Sequence, residues 1–257
     1  MKQKYQDFNI KHNNFSKISM IFLAILLTIT LVYNYNNLKL GMRIKNYGQI
    51  IASYKTIKEE QGIENLTNIN KNFWGWITCD KANISLPIVN TTSEKEEEFY
   101  LDHDFEGYKN PLGVPYKKSN CNIETTTNTV IVGHSSYNVH WFGDKSYQTI
   151  FANLRVYLSN TENLNITLET LNNTYQFKII SAFSFDSKNY NDDDIIAYTT
   201  TNITTQAQFN NFYNNIKEQS AVDTGINAQF GDKFLTLYTC DSANLRYRIV
   251  VVAKLVN

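Results

Sequence analysis

The sequence predicts a mostly β domain, a closed barrel or a sandwich, carried behind an N-terminal apolar segment and a helix. Three observations predict it. Short β-branched and aromatic runs recur from Phe73 to the C-terminus without the alternating helices of βαβ units. One capped amphipathic helix stands between the late runs. Ile18 to Tyr33 is an apolar run behind Lys2, Lys4, Lys11 and Lys17.

Taken in order, the apolar run is read as a membrane anchor over residues 18–35, with residues 1–17 as a cytoplasmic tail. Its exit, Val32-Tyr-Asn-Tyr-Asn-Asn37, lacks the small residues of a cleavage site, which favours an uncleaved anchor over a signal peptide. Tyr33 and Tyr35 suit the interface and bring the run to the roughly 20 residues that span a bilayer. The lysines before it place the N-terminus inside and the rest of the chain outside. No lipobox cysteine follows.

Residues 36–72 are expected to form a helical stalk or a helix packed on the domain. Tyr47, Ile50, Ile51, Tyr54 and Ile57 fall on one stripe, and Gln61 to Asn72 reads as a connector. Strands are expected over Trp74–Cys79, Ile84–Val89, Thr129–Gly133, Asn165–Leu168, Thr174–Phe185, Phe234–Cys240 and Tyr247–Val256. The late helix begins at the capping box Thr205-Gln-Ala-Gln208 and puts Phe209, Phe212, Tyr213 and Ile216 on one face before Ser220. Residues 73–257 are thus expected to form the main domain.

At 257 residues the chain can bury a core that folds without disulfides. Lys and Arg number 24 and Asp and Glu 24, so net charge is zero. With no basic stripe interleaved with aromatics, nucleic acid is excluded as a partner. The three cysteines leave an odd count: Cys79 and Cys121 either pair outside the cell or remain a buried thiol and a loop residue, and Cys240 is free in both cases.

Cys240 ends an apolar run, Phe234-Leu-Thr-Leu-Tyr-Thr-Cys240, and Arg248 opens the next, Arg248-Ile-Val-Val-Val-Ala. Two neighbouring strands would bring a thiol and a guanidinium together. A free thiol, with a pKa of about 8.5, needs such a positive charge to ionise near neutrality. Thr129-Val-Ile-Val-Gly-His134 presents an imidazole in the same way and supplies the proton-transfer partner of a cysteine nucleophile.

Thr236-Leu-Tyr-Thr-Cys240 resembles the TLxTC signature of sortases, the cysteine transpeptidases that attach proteins to the Gram-positive cell wall. Arg248-Ile-Val-Val-Val-Ala-Lys-Leu255 is similar to the Arg-bearing strand of class B members. Phe73-Trp-Gly-Trp-Ile77, Leu86-Pro-Ile-Val89, Phe99-Tyr-Leu-Asp-His-Asp-Phe105, Val132-Gly-His134 and Ile150-Phe-Ala-Asn-Leu154 match in the same order. The resemblance implies that residues 73–257 are the catalytic domain, a sortase-like closed β-barrel whose late helix walls the substrate groove. It implies catalysis by Cys240, His134 and Arg248, and substrate-binding positions at Leu101, Tyr238, Thr239, Asp241 and Ser135. Ser135 stands where class B members carry Asn, and Tyr238 where they often carry Ser; both departures bear on substrate preference.

The implied activity needs neither cofactor nor metal. It cleaves the C-terminal sorting motif of a surface protein through a thioester and transfers the acyl group to a peptidoglycan-precursor amine. Alternatives are a pilin-polymerising enzyme, whose acceptor is a lysine amine, and a silent anchored barrel that binds peptides. A papain-like hydrolase is disfavoured because there the Cys opens a helix and precedes its His. Among the residues, His103 and His140 rival His134, and Arg246 shares a strand face with Arg248. Leu101 can equally be core, Asp241 can be a solvated loop carboxylate, and Glu94 to Glu98 reads as a solvated face rather than a cation site.

Overall fold

The computed structural model describes residues 2–134, 139–141, 144–147, 150–241, 244 and 246–256, the side chains of 2–16, 139–141 and 144–147 lying outside the description. The chain divides into two compact units, Met1–Arg43 and Ile44–Asn257.

The first unit is made of one helix, α1 (Lys2–Lys45), whose last two residues fall in the second unit. Its apolar side chains from Ile18 to Tyr35 are exposed. Thr28 and Thr30 donate their hydroxyls to the carbonyls of Ala24 and Leu26, both at 2.8 Å, so these polar groups are satisfied within the helix. The stretch Lys17–Lys45, 29 residues holding an 18-residue window of mean hydropathy 2.0, is long and apolar enough to cross a membrane.

In the second unit, α2 (Tyr47–Gln61) buries Tyr47, Ile51 and Tyr54, the stripe expected from spacing. The Tyr54 phenol donates to Glu106 Oε1 at 2.6 Å and its ring lies 5.1 Å from Phe105. This helix packs on the domain, and the connector after it includes a 3-10 segment, Ile63–Asn68.

Ten strands follow among the described residues: β1 (Phe73–Cys79), β2 (Ile84–Asn90), β3 (Tyr116–Lys117), β4 (Asn128–Val132), β5 (Val139–Trp141), β6 (Asp144–Tyr147), β7 (Asn165–Thr170), β8 (Thr174–Asp186), β9 (Phe234–Cys240) and β10 (Tyr247–Leu255). Eight close into a barrel in the order β1-β2-β3-β4-β9-β10-β8-β7, with β7 returning to β1; β5 and β6 form a separate hairpin. The barrel contains two parallel pairs, β2 with β3 and β4 with β9. Closure leaves no open sheet edge in the barrel.

Three further helices complete the unit: α3 (Glu94–Leu101), α4 (Asp192–Thr199) and α5 (Gln206–Glu218). The capping box at Thr205 and Gln208 is formed. The expectation of a single helix among the strands is corrected by α3 and α4. Glu94 to Glu98 is also no fully solvated face. Its carboxylates lie in the first turns of α3, at the positive end of the helix dipole, and buried Glu97 accepts from Ser119 N and Oγ at 2.7 and 2.6 Å. Cys79 and Cys121 are both buried and free, without a disulfide.

Strand alternation gives the barrel wall two packed faces. Leu235, Leu237 and Thr239 of β9 alternate with Phe234, Thr236, Tyr238 and Cys240. On the second face, Phe183, Phe185, Phe234, Val250 and Val252 pack with Ala197 of α4 and Phe209, Phe212 and Ile216 of α5. The chain between β8 and β9 therefore covers the same side of the wall that carries Cys240.

Candidate active site

Backbone register assembles the site. The parallel β4–β9 pair aligns Val130 with Thr236 and Val132 with Tyr238, and the Gly133 N–H extends it by donating to the Tyr238 carbonyl at 3.0 Å. Continued two residues beyond Val132, that register sets His134 level with Cys240. On the other side of β9, antiparallel β10 places Arg248 opposite Cys240 and Val250 opposite Tyr238. The imidazole, thiol and guanidinium thus come from three neighbouring strands at one level, at the end of the barrel where β9 stops.

Electrostatics at this level are mixed. Cys240 is partly buried and burial pushes its thiol pKa up, while the Arg248 guanidinium pulls it down. Burial lowers the His134 pKa, and the Asp102 carboxylate opposes that shift. At neutral pH the resting pair is therefore thiol and neutral imidazole.

The turn that presents His134 depends on a close approach. A Cβ at Gly133 would stand 2.1 Å from Phe151 Cδ1, in the 3-10 segment Ile150–Leu158. On the far side, Val114 N–H donates to the Tyr100 carbonyl at 3.1 Å, and Gly113, at φ 62°, lies where a Cβ would meet the Tyr100 and Leu101 carbonyls. This contact brings the end of α3, with Leu101 and Asp102, toward His134. Leu101 is partly buried there.

Two of the rival residues, His103 and Arg246, are otherwise engaged. His103 Nδ1 lies 2.6 Å from Asp102 Oδ1 and 2.8 Å from the Phe99 carbonyl, its ring stacked on Phe99. His140 belongs to β5 and its side chain lies outside the description, as does the whole of Ser135. Arg246 donates Nε to Asp186 Oδ1 at 2.7 Å and Nη2 to Oδ2, which holds the Asp186 pKa down at about 2. That ion pair secures Arg246 just before β10 begins.

The remaining expected residues divide. Tyr238 shares the Cys240 face, its ring stacked on Tyr198 of α4 at 4.1 Å and 29° and flanked by Phe185 at 6.4 Å. Thr239 alternates to the opposite face and is 1% exposed, so its side chain lies inside the barrel, away from the thiol's face. Asp241 corrects the solvated-loop reading: it is 4% exposed and Arg155 Nη1 donates to its Oδ2, fixing the first residue after Cys240.

Two structural residues escaped sequence reading. Asn128, fully buried at the start of β4, donates Nδ2 to the Ala197 and Thr200 carbonyls at 2.9 and 2.8 Å and accepts from Thr236 Oγ1 at 3.0 Å. It fastens α4 to the β4–β9 pair. Tyr198, in the short α4, carries Lys118 Nζ 4.1 Å from its ring centroid. An acidic run, Asp192 to Asp194, behind the capping residue Asn191 was the available signal for α4.

Comparison with known proteins matches the sequence and the fold. The Sortase domain family model matches residues 77–256. Sortase B of Listeria monocytogenes is 25% identical over 200 residues, covering 76% of this chain and 74% of that protein. The X-ray structure of Clostridium perfringens sortase B superposes with a TM-score of 0.63 at 27% identity, covering 76% of this chain and 99% of that one. A Staphylococcus aureus sortase B–substrate complex gives a TM-score of 0.66 at 23% identity, covering 84% and 97%.

Proposed function

The chain belongs to the sortase family, and from that premise we propose that it is a class B-type cysteine transpeptidase, anchored in the membrane by α1 with its barrel outside the cell. Its donor substrate is a surface protein bearing a C-terminal sorting motif, and its acceptor is a cell-wall amine. The observation that carries this reading is the pairing of Cys240 on β9 with Arg248 on β10, beside the end of β4, whose register, extended two residues past Val132, reaches His134.

In the proposed cycle, Cys240 Sγ loses its proton to His134 and attacks the scissile carbonyl carbon. Arg248, opposite Cys240, supplies fixed donors for the oxyanion that develops. The C–N bond then breaks, the imidazolium protonates the leaving amine, and a thioester remains. The acceptor amine attacks that thioester, His134 takes its proton, and the C–S bond breaks to return the thiolate. Two acyl transfers keep the energy of the amide in the thioester, so no ATP is consumed. Burial of Cys240 and His134 favours their neutral forms, so the thiolate–imidazolium pair is the minor, reactive state.

The substrate groove is proposed to run along the outer face of β4 and β9 beneath α4, with Leu101 and Tyr238 at its edges. The cytoplasmic side of the anchor is residues 1–17, the order of lysines before an apolar run. The full-length chain in detergent, incubated with a pool of quenched sorting-motif peptides, tests the activity. Cleavage that requires Cys240 and yields a triglycine adduct is expected. An adduct only with a lysine side-chain amine would move the assignment to pilin polymerisation. No cleavage and no mass gain on Cys240 would overturn the enzyme reading in favour of a peptide-binding barrel.

A further inference from the structure

We propose that Tyr238 is a positioning residue that tethers Arg248 against Cys240, with Tyr198 clamping its ring; this rests on the reading of Cys240 as the nucleophile. Tyr238 and Cys240 lie two apart on one face of β9, and Arg248 stands opposite Cys240 on β10. Tyr238 and Arg248 are therefore diagonal neighbours, a separation that long side chains bridge across a sheet. The Arg248 charge and its hydrogen-bonding pull on the phenol work against the burial of Tyr238, and Nη1 donates to the Tyr247 carbonyl at 3.2 Å.

The choice of acceptor matters chemically. Arg246, just before β10, is held by the Asp186 carboxylate, which cancels its charge. A phenol holds a guanidinium without neutralising it. Burial is the main cause that pushes the Tyr238 pKa up to about 12, so the phenol stays uncharged under working conditions. Arg248 thus keeps a full positive charge for the thiolate and the oxyanion while losing part of its side-chain freedom.

The clamp gives the tether its rigidity. The Tyr238 ring stacks on Tyr198 at 4.1 Å and abuts Phe185. Tyr198 is held by Lys118 over its ring and, through α4, by the two hydrogen bonds from Asn128. The wall formed by α4 is in this way connected to the group that stabilises charge at the thiol.

The test reads the thiol without any peptide. Iodoacetamide labelling of Cys240 in the full-length chain is followed by mass spectrometry, with buried Cys79 and Cys121 as internal controls. Tyr238→Phe keeps the stack and removes the tether. It should slow labelling at pH 7 by about threefold to tenfold, the effect of up to one unit in thiol pKa. Arg248→Ala should slow it at least as much, and Tyr238→Phe combined with Arg248→Ala should be no slower than Arg248→Ala alone, because Tyr238 acts through Arg248. Tyr198→Ala, which loosens the clamp, should move labelling in the same direction. Wild-type labelling in Tyr238→Phe, or additive losses in the double variant, would overturn the proposal. Since the readout needs no turnover, a wild-type chain that cleaves no peptide but shows this coupling would remove the transpeptidase reading alone.

Discussion

Arg155 holds the buried carboxylate of Asp241, the residue that directly follows Cys240. The ion pair links the 3-10 segment Ile150–Leu158 to the point where β9 turns toward β10, and Asp241 N–H also donates to the Tyr247 carbonyl at 2.8 Å. Removing Arg155 takes away the charge partner of a buried acid. Arg155→Ala is expected to cost about 1 to 3 kcal/mol in urea unfolding and to lower kcat, the Arg being half exposed and the Asp not. An unchanged urea midpoint and unchanged kcat would show that the pair positions nothing.

Under the proposed mechanism, Arg248→Ala should reduce kcat by about a hundredfold to a thousandfold, the usual loss of one oxyanion donor. Arg246→Ala, which breaks only the pair with Asp186, should leave a far larger fraction of activity. Steady-state kinetics on a cleaved sorting-motif peptide decide it; equal losses for the two arginines would contradict the assignment.

Asn128 makes three hydrogen bonds from a fully buried side chain. Asn128→Leu leaves the Ala197 and Thr200 carbonyls and the Thr236 hydroxyl without this partner, at about 1 to 3 kcal/mol for each buried group left unsatisfied. The melting temperature should fall by several degrees, and amide exchange should quicken first in α4.

Gly133→Ala would drive its new methyl into Phe151 and displace the backbone that leads to His134. The expected cost is about 1 to 3 kcal/mol of overpacking, with kcat reduced alongside. Pairing it with Phe151→Leu, which clears the space, should recover more activity than the two single losses sum to; purely additive losses would contradict the steric account.

For His134 the pH dependence has a definite sign. Its folded pKa is lowered by burial, so its contribution to stability is full above the unfolded value of about 6.5 and is lost as pH falls through the folded pKa. His134→Gln should therefore narrow the stability gap between pH 7 and pH 5 in urea titrations. A gap as wide as in the wild type would argue against a buried neutral imidazole.

Much of this architecture was legible in the residues. The alternating, β-branched runs mark seven of the eight barrel strands within a residue or two, and Phe234–Cys240 matches its strand end to end. The proposed nucleophile, imidazole and guanidinium were legible because each sits at or just past a strand end beside a loop. Two-residue β3 was not, since so short a run has no period to read. The helix α3 hid in a run of glutamates whose cap, Ser93, is a weak signal by itself. The roles of Thr239 and Asp241 needed coordinates: adjacency to Cys240 along the chain placed them at the thiol, whereas strand alternation and a distant arginine turn them inward. Asn128 reads as an ordinary polar residue before a strand, and only the packing of α4 shows what it satisfies.

The parallel joining of β4 to β9 has a consequence for when the protein becomes reactive. Asn128 and Thr236, bonded across that seam, are 108 residues apart in sequence. The ribosome must therefore release the chain through Cys240 before histidine and cysteine can meet, and contacts so distant in sequence form late. A chain not yet extended through β9 carries the imidazole with no thiol to serve, so competence arrives only once Cys240 has been made and its strand has paired with β4.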